Sequence, residues 1–592
     1  MFFNDYTELS AEEVRAKLAG RGPEGGTEDL SGLRFCTHPE GEFAPAQLDY
    51  EFLDGRTLRC TENGRSFEAP YGAVKYGEVL LISHAVPGTD RAFHCVCDRR
   101  SGAVTLFETW FGTEAATGVD HMGRCAPTGK KRIEREVQRQ YSFGWADFGD
   151  NARPEKLPGT TNRLEGRGLH WQFSTGYEIL SFFPSVICST VVELGDREGG
   201  ITAAHPTDYL RIDDEFYVLC RSEAEFSGKL WIELVSFMDC AAVGLELGIG
   251  EDDEFVWRFH SAKLTVTGDC AHLEPITDYG ETLLPSASAG TGRGARYTYR
   301  PKNFTKPADH ADALRIAREK SMILAENDAN HMASRNGLPQ SDMLVGKRFT
   351  VRPDCAPHTA SPWAGDRSVT YEYDVLTKDL LRWRENGGQW QEEKYLCMEP
   401  ARGIALFSHM VTGDPEFANL THAVDFTDGL STTIRAQIGC WHSGWEVGSQ
   451  VRFGTIEYGD LVPPFARRHH FTDELVGQCF AWAYSETMSS IHVYSSPESY
   501  SWTIFSGDNS GGATWSSPCF YIKLRPDVYL FQWVEENCNG SQGLLVINRK
   551  IQHDGGFFYG VSHNGLNLNI TGAFMRELGK FRIKKYFDNT PD

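Results

Sequence analysis

The sequence predicts an all-β protein of four antiparallel barrels, arranged as two duplicated halves with a few short helices. Three observations support this fold class: aromatic residues make up 12% of the 592 residues, glycine occurs 59 times, and sequence motifs recur at a nearly constant spacing. Aromatic side chains favour strands, and glycine favours the tight turns that join them. Short alternating strands at regular intervals are typical of barrels or sandwiches rather than parallel sheets.

The repeat spans most of the chain. Phe143-Gly144 matches Phe453-Gly454 at an offset of 310, and Glu223 matches Glu535 at an offset of 312. A constant offset of this kind indicates duplication of a unit of about 300 residues. Each unit divides again, because a Leu-x-Gly sequence before an aromatic strand opens four segments, at Leu30, Leu164, Leu344 and Leu475. Each segment has the length of one barrel of about eight strands, which can enclose one small ligand.

These segments predict five regions. They are an N-terminal helix with barrel 1 (1–135), barrel 2 (136–285), a linker with a helix (286–343), barrel 3 (344–450) and barrel 4 (451–592). The capping-box pattern of Ser10 and Glu13 predicts a first helix that ends near Ala19. Helical periodicity predicts a second helix within Ala308–Ser334, after a linker at Pro285–Lys306 that is rich in Ser, Gly and Arg.

Composition excludes several classes of function. The formal net charge of −23 argues against nucleic acid or an anionic membrane surface as a partner, since both require clustered Lys and Arg. The chain has no run of 18 apolar residues, and Met1–Ser10 lacks the features of a signal peptide. The 15 cysteines are odd in number and scattered, which indicates reduced thiols. We therefore expect a cytoplasmic protein.

Other candidate motifs have simple structural explanations. Cys95 and Cys97 share a strand face, but no second ligand pair accompanies them, so we expect no metal site. His84 and His409 occupy the same repeat position after a serine. A histidine on an apolar strand is usually a packed core residue, although its presence in both halves keeps a functional role open.

The strongest cluster of candidate site residues lies in barrel 4. Alternate residues of a strand share a face. Four pairs of this kind fall on four strands, namely Trp482 with Tyr484, His492 with Tyr494, Tyr500 with Trp502, and Trp533 with Glu535. Inward faces would enclose an aromatic cavity with one carboxylate, Glu535, whose pKa desolvation would raise. The alternative is a solvated Glu535 outside a filled aromatic core.

The equivalent cluster in barrel 2 is a secondary candidate site. It comprises Trp171, Phe173, Phe183, Arg221 and Glu223. There, Glu223 could simply pair with Arg221.

A family resemblance follows from two of these segments. The Leu-Val-Gly…Trp-x-Tyr-Ser residues of Leu475–Ser485 and the Val-Tyr-Leu-Phe-x-Trp-x-Glu residues of Val528–Glu535 resemble the MoaF family. The resemblance covers each half, which implies a tandem MoaF-like duplication. That family is similar to small bacterial phenolic acid decarboxylases, so the resemblance implies lipocalin-like (calycin) barrels.

The resemblance also implies roles for site residues. The decarboxylases use two tyrosines, an arginine and a glutamate inside the barrel; Tyr484 matches one tyrosine and Glu535 matches the glutamate. Trp482 replaces the other tyrosine, and the arginine position falls at Thr514. Loss of the arginine removes a bidentate clamp for a carboxylate. Decarboxylation of a phenolic acid is therefore not expected, whereas acid–base chemistry by Tyr484 and Glu535 is. These residues support no molybdenum or pterin site, and we expect no cofactor.

Two main functions follow as hypotheses. The first is a cofactor-independent lyase, isomerase or cyclase that acts on a small aromatic or polyketide-like molecule, with Tyr484 and Glu535 as catalytic residues. The residues expected to bind its substrate are Trp482, His492, Tyr494, Trp502 and Trp533. The second is a lipocalin-like protein that binds a small hydrophobic molecule without catalysis. A third hypothesis, a scaffold of mostly filled barrels, also stays open, since Val86 and Val411 replace the glutamate in barrels 1 and 3.

Overall fold

The computed structural model describes most of the chain, and every structural statement below concerns the residues it describes. These are residues 6–20, 22–40, 47–111, 114–115, 118–119, 125–126, 132–135, 137–149, 151–186, 188–195, 202–223, 228–250, 252–270, 310–323, 335–354, 369–439, 447–506, 514–535, 541–562 and 565–587. The expected linker at 285–306 lies outside them.

Barrel 1 is a closed ring of eight antiparallel strands in the order β13-β2-β3-β4-β5-β6-β7-β8. The strands of the ring are β2 (Arg34–Glu40), β3 (Leu48–Phe52), β4 (Thr57–Glu62), β5 (Arg65–Tyr76), β6 (Val79–Ala85), β7 (Arg91–Asp98), β8 (Ala103–Phe111) and β13 (Val137–Asp147). Short strands outside the ring are β1 (Tyr6–Thr7), β9 (Glu114–Ala115), β10 (Gly118–Val119), β11 (Cys125–Ala126) and β12 (Arg132–Glu134). Helix α1 (Ala11–Ala19) precedes the ring. The hydroxyl of Ser10 accepts a hydrogen bond from the Glu13 N–H, which confirms the predicted capping box.

Barrel 2 is a second eight-stranded ring, which closes where β18 pairs with β19. Its strands are β14 (Gly159–Thr160), β15 (Arg167–Phe173), β16 (Glu178–Phe182), β17 (Cys188–Leu194), β18 (Thr202–Arg211), β19 (Phe216–Ser222), β20 (Leu230–Ser236), β21 (Ala241–Ile249) and β22 (Phe255–Asp269). The short strand β14 lies beside β18, outside the ring.

Barrel 3 repeats the design of barrel 1, because its last strand also returns to pair with its first. Helix α2 (His310–Glu319) and β23 (Ser321–Ile323) precede it. The strands of the ring are β24 (Arg348–Pro353), β25 (Tyr371–Val375), β26 (Leu380–Glu385), β27 (Gln391–Ala401), β28 (Ile404–Met410), β29 (Asn419–Asp425), β30 (Leu430–Ile438) and β31 (Val447–Glu457).

Barrel 4 closes where β39 pairs with the last strand, at His553 and Phe574. Its strands are β32 (His470–Phe471), β33 (Gln478–Ala483), β34 (Ser489–Val493), β35 (Ser499–Ser506), β36 (Thr514–Arg525), β37 (Val528–Val534), β38 (Ser541–Asn548), β39 (His553–Ser562), β40 (Gly565–Thr571) and β41 (Phe574–Lys580). A 3₁₀ turn follows at Lys584–Tyr586. The prediction of four antiparallel barrels with few helices is confirmed.

Two expected boundaries are wrong for one physical reason. The region taken to open barrel 2 contains β13, and the region taken to open barrel 4 contains most of β31; these are the closing strands of barrels 1 and 3. A ring needs its last strand beside its first to satisfy both backbone edges. Barrel 1 therefore extends past 135 to Asp147, and barrel 3 extends past 450 to Glu457.

The second helix is shorter than expected. Helix α2 covers His310–Glu319, and Ser321–Ile323 then pairs in parallel with Leu566–Leu568 of barrel 4. A backbone whose groups bond to a neighbouring strand cannot continue an α-helix. Residues 324–334 of the expected helix lie outside the described ranges.

The barrels pack in pairs through their outer faces. Leu81 of barrel 1 and Val218 of barrel 2 belong to one buried cluster, and Leu406 of barrel 3 and Leu530 of barrel 4 belong to another. Strands at these contacts are therefore buried on both faces, as in β20, all of whose residues are buried. This explains why they contain continuous apolar runs instead of strict alternation.

Barrels 2 and 4 join the two halves. The Thr202 hydroxyl lies 2.7 Å from the Ser495 hydroxyl, and the Phe182 ring lies 4.8 Å from the Phe581 ring. The contacts therefore run in the order barrel 1, barrel 2, barrel 4, barrel 3.

Three further observations concern the described residues. None of their helices is both long and apolar enough to span a membrane. The eleven cysteines whose side chains the structure describes are free. No group of three or more potential metal ligands occurs among them.

The repeated Phe-Gly motif has a steric origin. A Cβ atom placed on Gly144 would lie 2.2 Å from the carbonyl oxygen of His38, and one placed on Gly454 would lie 2.2 Å from that of Arg352. Each glycine pairs with a proline of the first strand of its ring, Pro39 or Pro353. The closing strand can therefore approach the first strand only if it has no side chain at this point.

We expect Gly144→Ala and Gly454→Ala each to lower the free energy of unfolding by roughly 1–3 kcal/mol, the usual cost of forcing extra volume into a packed site. Urea unfolding followed by tryptophan fluorescence measures the effect. Gly159→Ala is the matched control, since a Cβ there meets nothing within 4 Å. Equal stability of all three variants would contradict the steric explanation.

Candidate functional site

The predicted site residues of barrel 4 meet inside its ring. Trp482, Tyr484, Tyr494, Trp502 and Trp533 belong to one buried cluster. Strand alternation places them there, because interior residues such as Phe480 and Phe531 are an even number of positions away on the same strands. The sequence left open whether these strand faces point into the barrel or away from it, and in the structure they point inward.

Ring contacts connect the members of this cluster. The Phe531 ring lies 4.9 Å from Tyr500 and 4.9 Å from Trp533. The His492 ring lies 5.1 Å from Tyr500 and 5.9 Å from Trp482. The site is therefore an aromatic enclosure with histidine and tyrosine as its polar members.

Glu535 lies at the rim of this enclosure and is only half-buried, which corrects the expectation of a fully buried carboxylate. The reason is its position one residue beyond Val534, the last residue of β37, although its backbone N–H still donates a hydrogen bond to the Ser541 carbonyl at 2.8 Å. The Trp533 indole N–H donates a hydrogen bond to Glu535 Oε1 at 2.7 Å. This bond holds the carboxylate towards the interior.

Tyr484 and His492 form the polar centre. The Tyr484 hydroxyl lies 3.4 Å from His492 Nε2 and 3.5 Å from the Ser490 hydroxyl. Burial, followed by the nearby charge of Asp554, raises the pKa of Tyr484 far above its ordinary value. Burial lowers the pKa of His492 to about 3. Both groups are therefore neutral near pH 7, so Tyr484 acts as a hydrogen-bond donor rather than as a phenolate base.

Asp554 is an interior carboxyl that the sequence analysis missed. Its cross-strand partner Ile547 belongs to the interior cluster, so Asp554 faces the same interior. Its Oδ1 accepts the Ala573 N–H at 2.6 Å, and burial raises its pKa to about 8. The sequence placed the desolvated carboxyl of this barrel at Glu535; Asp554 is a second carboxyl, and it is the one whose pKa burial raises. A sequence signal was available. At the offset of 312, Asp554 aligns with Ala242 of barrel 2, so an acidic residue stands where the other half has a small apolar one.

Several interior polar atoms have no hydrogen-bond partner among the described residues. They include His492 Nδ1, Trp502 Nε1 and Asp554 Oδ2. A buried polar group without a partner costs about 1–3 kcal/mol, so groups of this kind usually have a specific role. Together they offer donors and an acceptor to a molecule inside the barrel.

The secondary cluster in barrel 2 is also internal, but its pairing differs from the expectation. Trp171 donates a hydrogen bond to the Ser181 hydroxyl at 2.6 Å. Glu223 lies 3.5 Å from Lys229 Nζ, whereas Arg221 stacks over Trp231 at 4.9 Å. The expected pairing of Glu223 with Arg221 is therefore wrong, because Lys229, the residue just before β20, reaches the carboxylate.

His84 and His409 are satisfied core residues. His84 Nε2 lies 3.1 Å from the Tyr50 hydroxyl, and His409 Nε2 lies 3.0 Å from the Tyr373 hydroxyl. The second ring nitrogen of each bonds to a backbone carbonyl. The duplication thus preserved a buried His–Tyr pair, which favours the structural interpretation.

An open cleft of about 420 Å³ lies elsewhere, on barrel 1. Its lining includes Arg34, Glu51 and Arg59. Both arginines pair with Glu51. It contains none of the predicted site residues.

Comparison with known proteins supports one part of this assignment. Residues 469–580 match the family described as MoaF C-terminal domain. Over 85 residues, or 14% of this chain, the protein is 31% identical to Protein MoaF of Klebsiella aerogenes. The matched segment spans 32% of that relative. Barrel 4 is therefore MoaF-like, as its residues predicted, while the relation to lipocalins stays an expectation from the resemblance.

A solved structure also matches part of the chain. It is a "putative beta-lactamase from Burkholderia vietnamiensis", which is 17% identical, covers 20% of this chain and 100% of its own, and gives a TM-score of 0.15. A TM-score this low does not establish a shared fold.

The raised pKa of Asp554 predicts a pH dependence of stability. The folded protein keeps a proton on Asp554 that the unfolded chain, with an ordinary value of 3.8, releases. The stabilisation of the folded state by this bound proton is complete below about pH 4 and is lost as the pH rises through about 8. We expect Asp554→Asn to remove this slope, which is about 1.4 kcal/mol per pH unit at its steepest.

Urea unfolding of wild type and Asp554→Asn between about pH 5 and pH 7 measures the difference. Asn keeps the acceptor for the Ala573 N–H, so the fold is preserved. Asp252→Asn, at an exposed position, is the control and should leave the slope unchanged. Parallel stability curves for wild type and Asp554→Asn would show that this carboxyl has no raised pKa.

Proposed function

We propose that barrel 4 is a cofactor-independent enzyme site that transfers protons on a small neutral aromatic or polyketide-like molecule, as a lyase, isomerase or cyclase does. The observation that carries this proposal is the set of buried, unpaired polar atoms within an aromatic enclosure. An interior built only to be filled would have these atoms paired or replaced by apolar groups. A guest molecule with oxygen atoms would satisfy them.

The geometry suggests a division of roles. Glu535, which accepts a hydrogen bond from Trp533, would accept a proton from a carbon or hydroxyl of the substrate. Tyr484 and Asp554 are both neutral donors near pH 7 and would stabilise an oxygen on which negative charge develops. His492 would orient Tyr484 through the contact at 3.4 Å.

The walls favour an aromatic substrate. Trp482, Trp502 and Trp533 present large flat surfaces, and aromatic rings prefer stacked or edge contacts with other rings. Thr514 stands where the decarboxylases have an arginine, so the bidentate clamp that such an arginine gives a carboxylate is missing at this position. The substrate class is therefore neutral, with a phenol, enol or ketone group.

The alternative function is binding without catalysis, as in lipocalins. The same unpaired atoms support it, since they serve a bound ligand as well as a substrate. The two functions differ in the role of Glu535: a catalytic base changes turnover, whereas a rim residue of a binding protein changes affinity alone.

A proton-exchange assay separates the two functions. The probe is 2-tetralone, a neutral aromatic ketone with acidic C–H bonds, and NMR follows deuterium incorporation in D₂O. We expect wild type to accelerate exchange and Glu535→Gln to lower the rate by about 10²–10⁴ with little change in probe affinity. Tyr484→Phe should also lower the rate, because it removes the donor to the carbonyl oxygen.

The duplication supplies a matched control. Glu223→Gln changes the equivalent glutamate of barrel 2 and should leave the exchange rate unchanged. Probe binding without accelerated exchange in wild type would favour the binding function. A rate unaffected by Glu535→Gln would refute the proposed base.

A further inference from the structure

The interior of barrel 2 holds a buried cation of unusual environment. Arg221 alternates on β19 with Leu219, which packs in the interior, so its side chain points into the ring. Its guanidinium lies over the Trp231 ring at 4.9 Å, and the residue is 5% exposed. A guanidinium this deeply buried normally has a carboxylate partner.

The carboxylates around it have other partners. Lys229 Nζ lies 3.5 Å from Glu223 and 2.8 Å from Glu246, and Arg258 also pairs with Glu246 at 2.8 Å. Neither glutamate bonds to Arg221.

Two more acidic residues inside barrel 2 are likewise paired elsewhere. Glu233 accepts a hydrogen bond from His260 Nε2 at 2.8 Å, and Glu193 accepts one from the Tyr177 hydroxyl. Arg221 makes no ion pair or hydrogen bond within the described part of the chain, and its Nε is fully enclosed. The result is a planar set of N–H donors that faces an enclosed interior.

The two halves show how this site arose. Arg221 pairs across strands with Trp231, and the equivalent pair in barrel 4 is Trp533 with Gly543. A Cβ at Gly543 would lie 2.2 Å from the Trp533 indole, so only one large ring fits between these two positions. In barrel 2 the large ring is Trp231 on β20, so the facing position on β19 is occupied by the Arg221 side chain.

We infer that barrel 2 is a second ligand site, which binds a small organic anion consisting of a carboxylate on an aromatic body. The guanidinium of Arg221 matches a carboxylate with two parallel hydrogen bonds. Trp171, Phe173 and Trp231 supply an aromatic wall beside it. This ligand class is distinct from the neutral molecule proposed for barrel 4, and the two sites stand on separate observations.

Calorimetric titration of the intact protein with benzoate and with neutral benzamide tests the inference. Wild type should bind benzoate more tightly than benzamide. Arg221→Gln should weaken benzoate binding by at least about 10-fold and change benzamide binding by no more than about 2-fold. Arg221→Lys keeps the charge without the planar fork and should give an intermediate affinity, which also covers the case in which the glutamine variant does not fold.

Arg467→Gln controls for the loss of one positive charge, since Arg467 is exposed and pairs with Asp428 outside barrel 2. It should bind benzoate as wild type does. The inference is overturned if wild type binds benzoate no better than benzamide. It is also overturned if Arg221→Gln leaves benzoate affinity unchanged, or if Arg467→Gln weakens it equally.

Discussion

Closure of the eight-stranded ring is the constraint on which the rest of the structure depends. A closed ring pairs every backbone edge and separates side chains into an inside and an outside set by strand alternation. It also excludes water, so each inward polar group must be neutral, paired or reserved for a ligand. The neutral states of Tyr484, His492 and Asp554 follow from this exclusion.

The outer faces of the rings determine how the four barrels assemble. Strands such as β20 and β37 are buried along their whole length, because one face lines a barrel and the other packs on a neighbouring barrel. Pairing within each half leaves barrels 2 and 4 to form the contact between halves. The two barrels with candidate ligand sites are therefore the two central ones.

Duplication allowed the interiors to diverge within one backbone plan. Barrels 1 and 3 kept the buried His–Tyr pairs formed by His84 and His409, which are fully hydrogen-bonded. Barrels 2 and 4 kept a glutamate at the same position, yet Glu223 pairs with Lys229, whereas Glu535 accepts a hydrogen bond from the Trp533 indole. The large aromatic side chain lies on one strand of the pair in barrel 4, as Trp533, and on the other strand in barrel 2, as Trp231. This difference allows a cation, Arg221, inside barrel 2.

The sequence by itself determined the repeat, the all-β class and the set of residues that share a strand face, because all three depend on local spacing along the chain. Spacing alone placed Trp482 and Tyr484 on one face of their strand, and Trp533 and Glu535 on one face of theirs. Only the tertiary structure decided which strands close each ring and which groups meet across it. Glu223 bonds to Lys229 because of cross-strand reach, and Asp554 acquires its raised pKa because ring closure buries it. Ring closure brings together strands that are distant in sequence, and no local pattern encodes the water that closure removes.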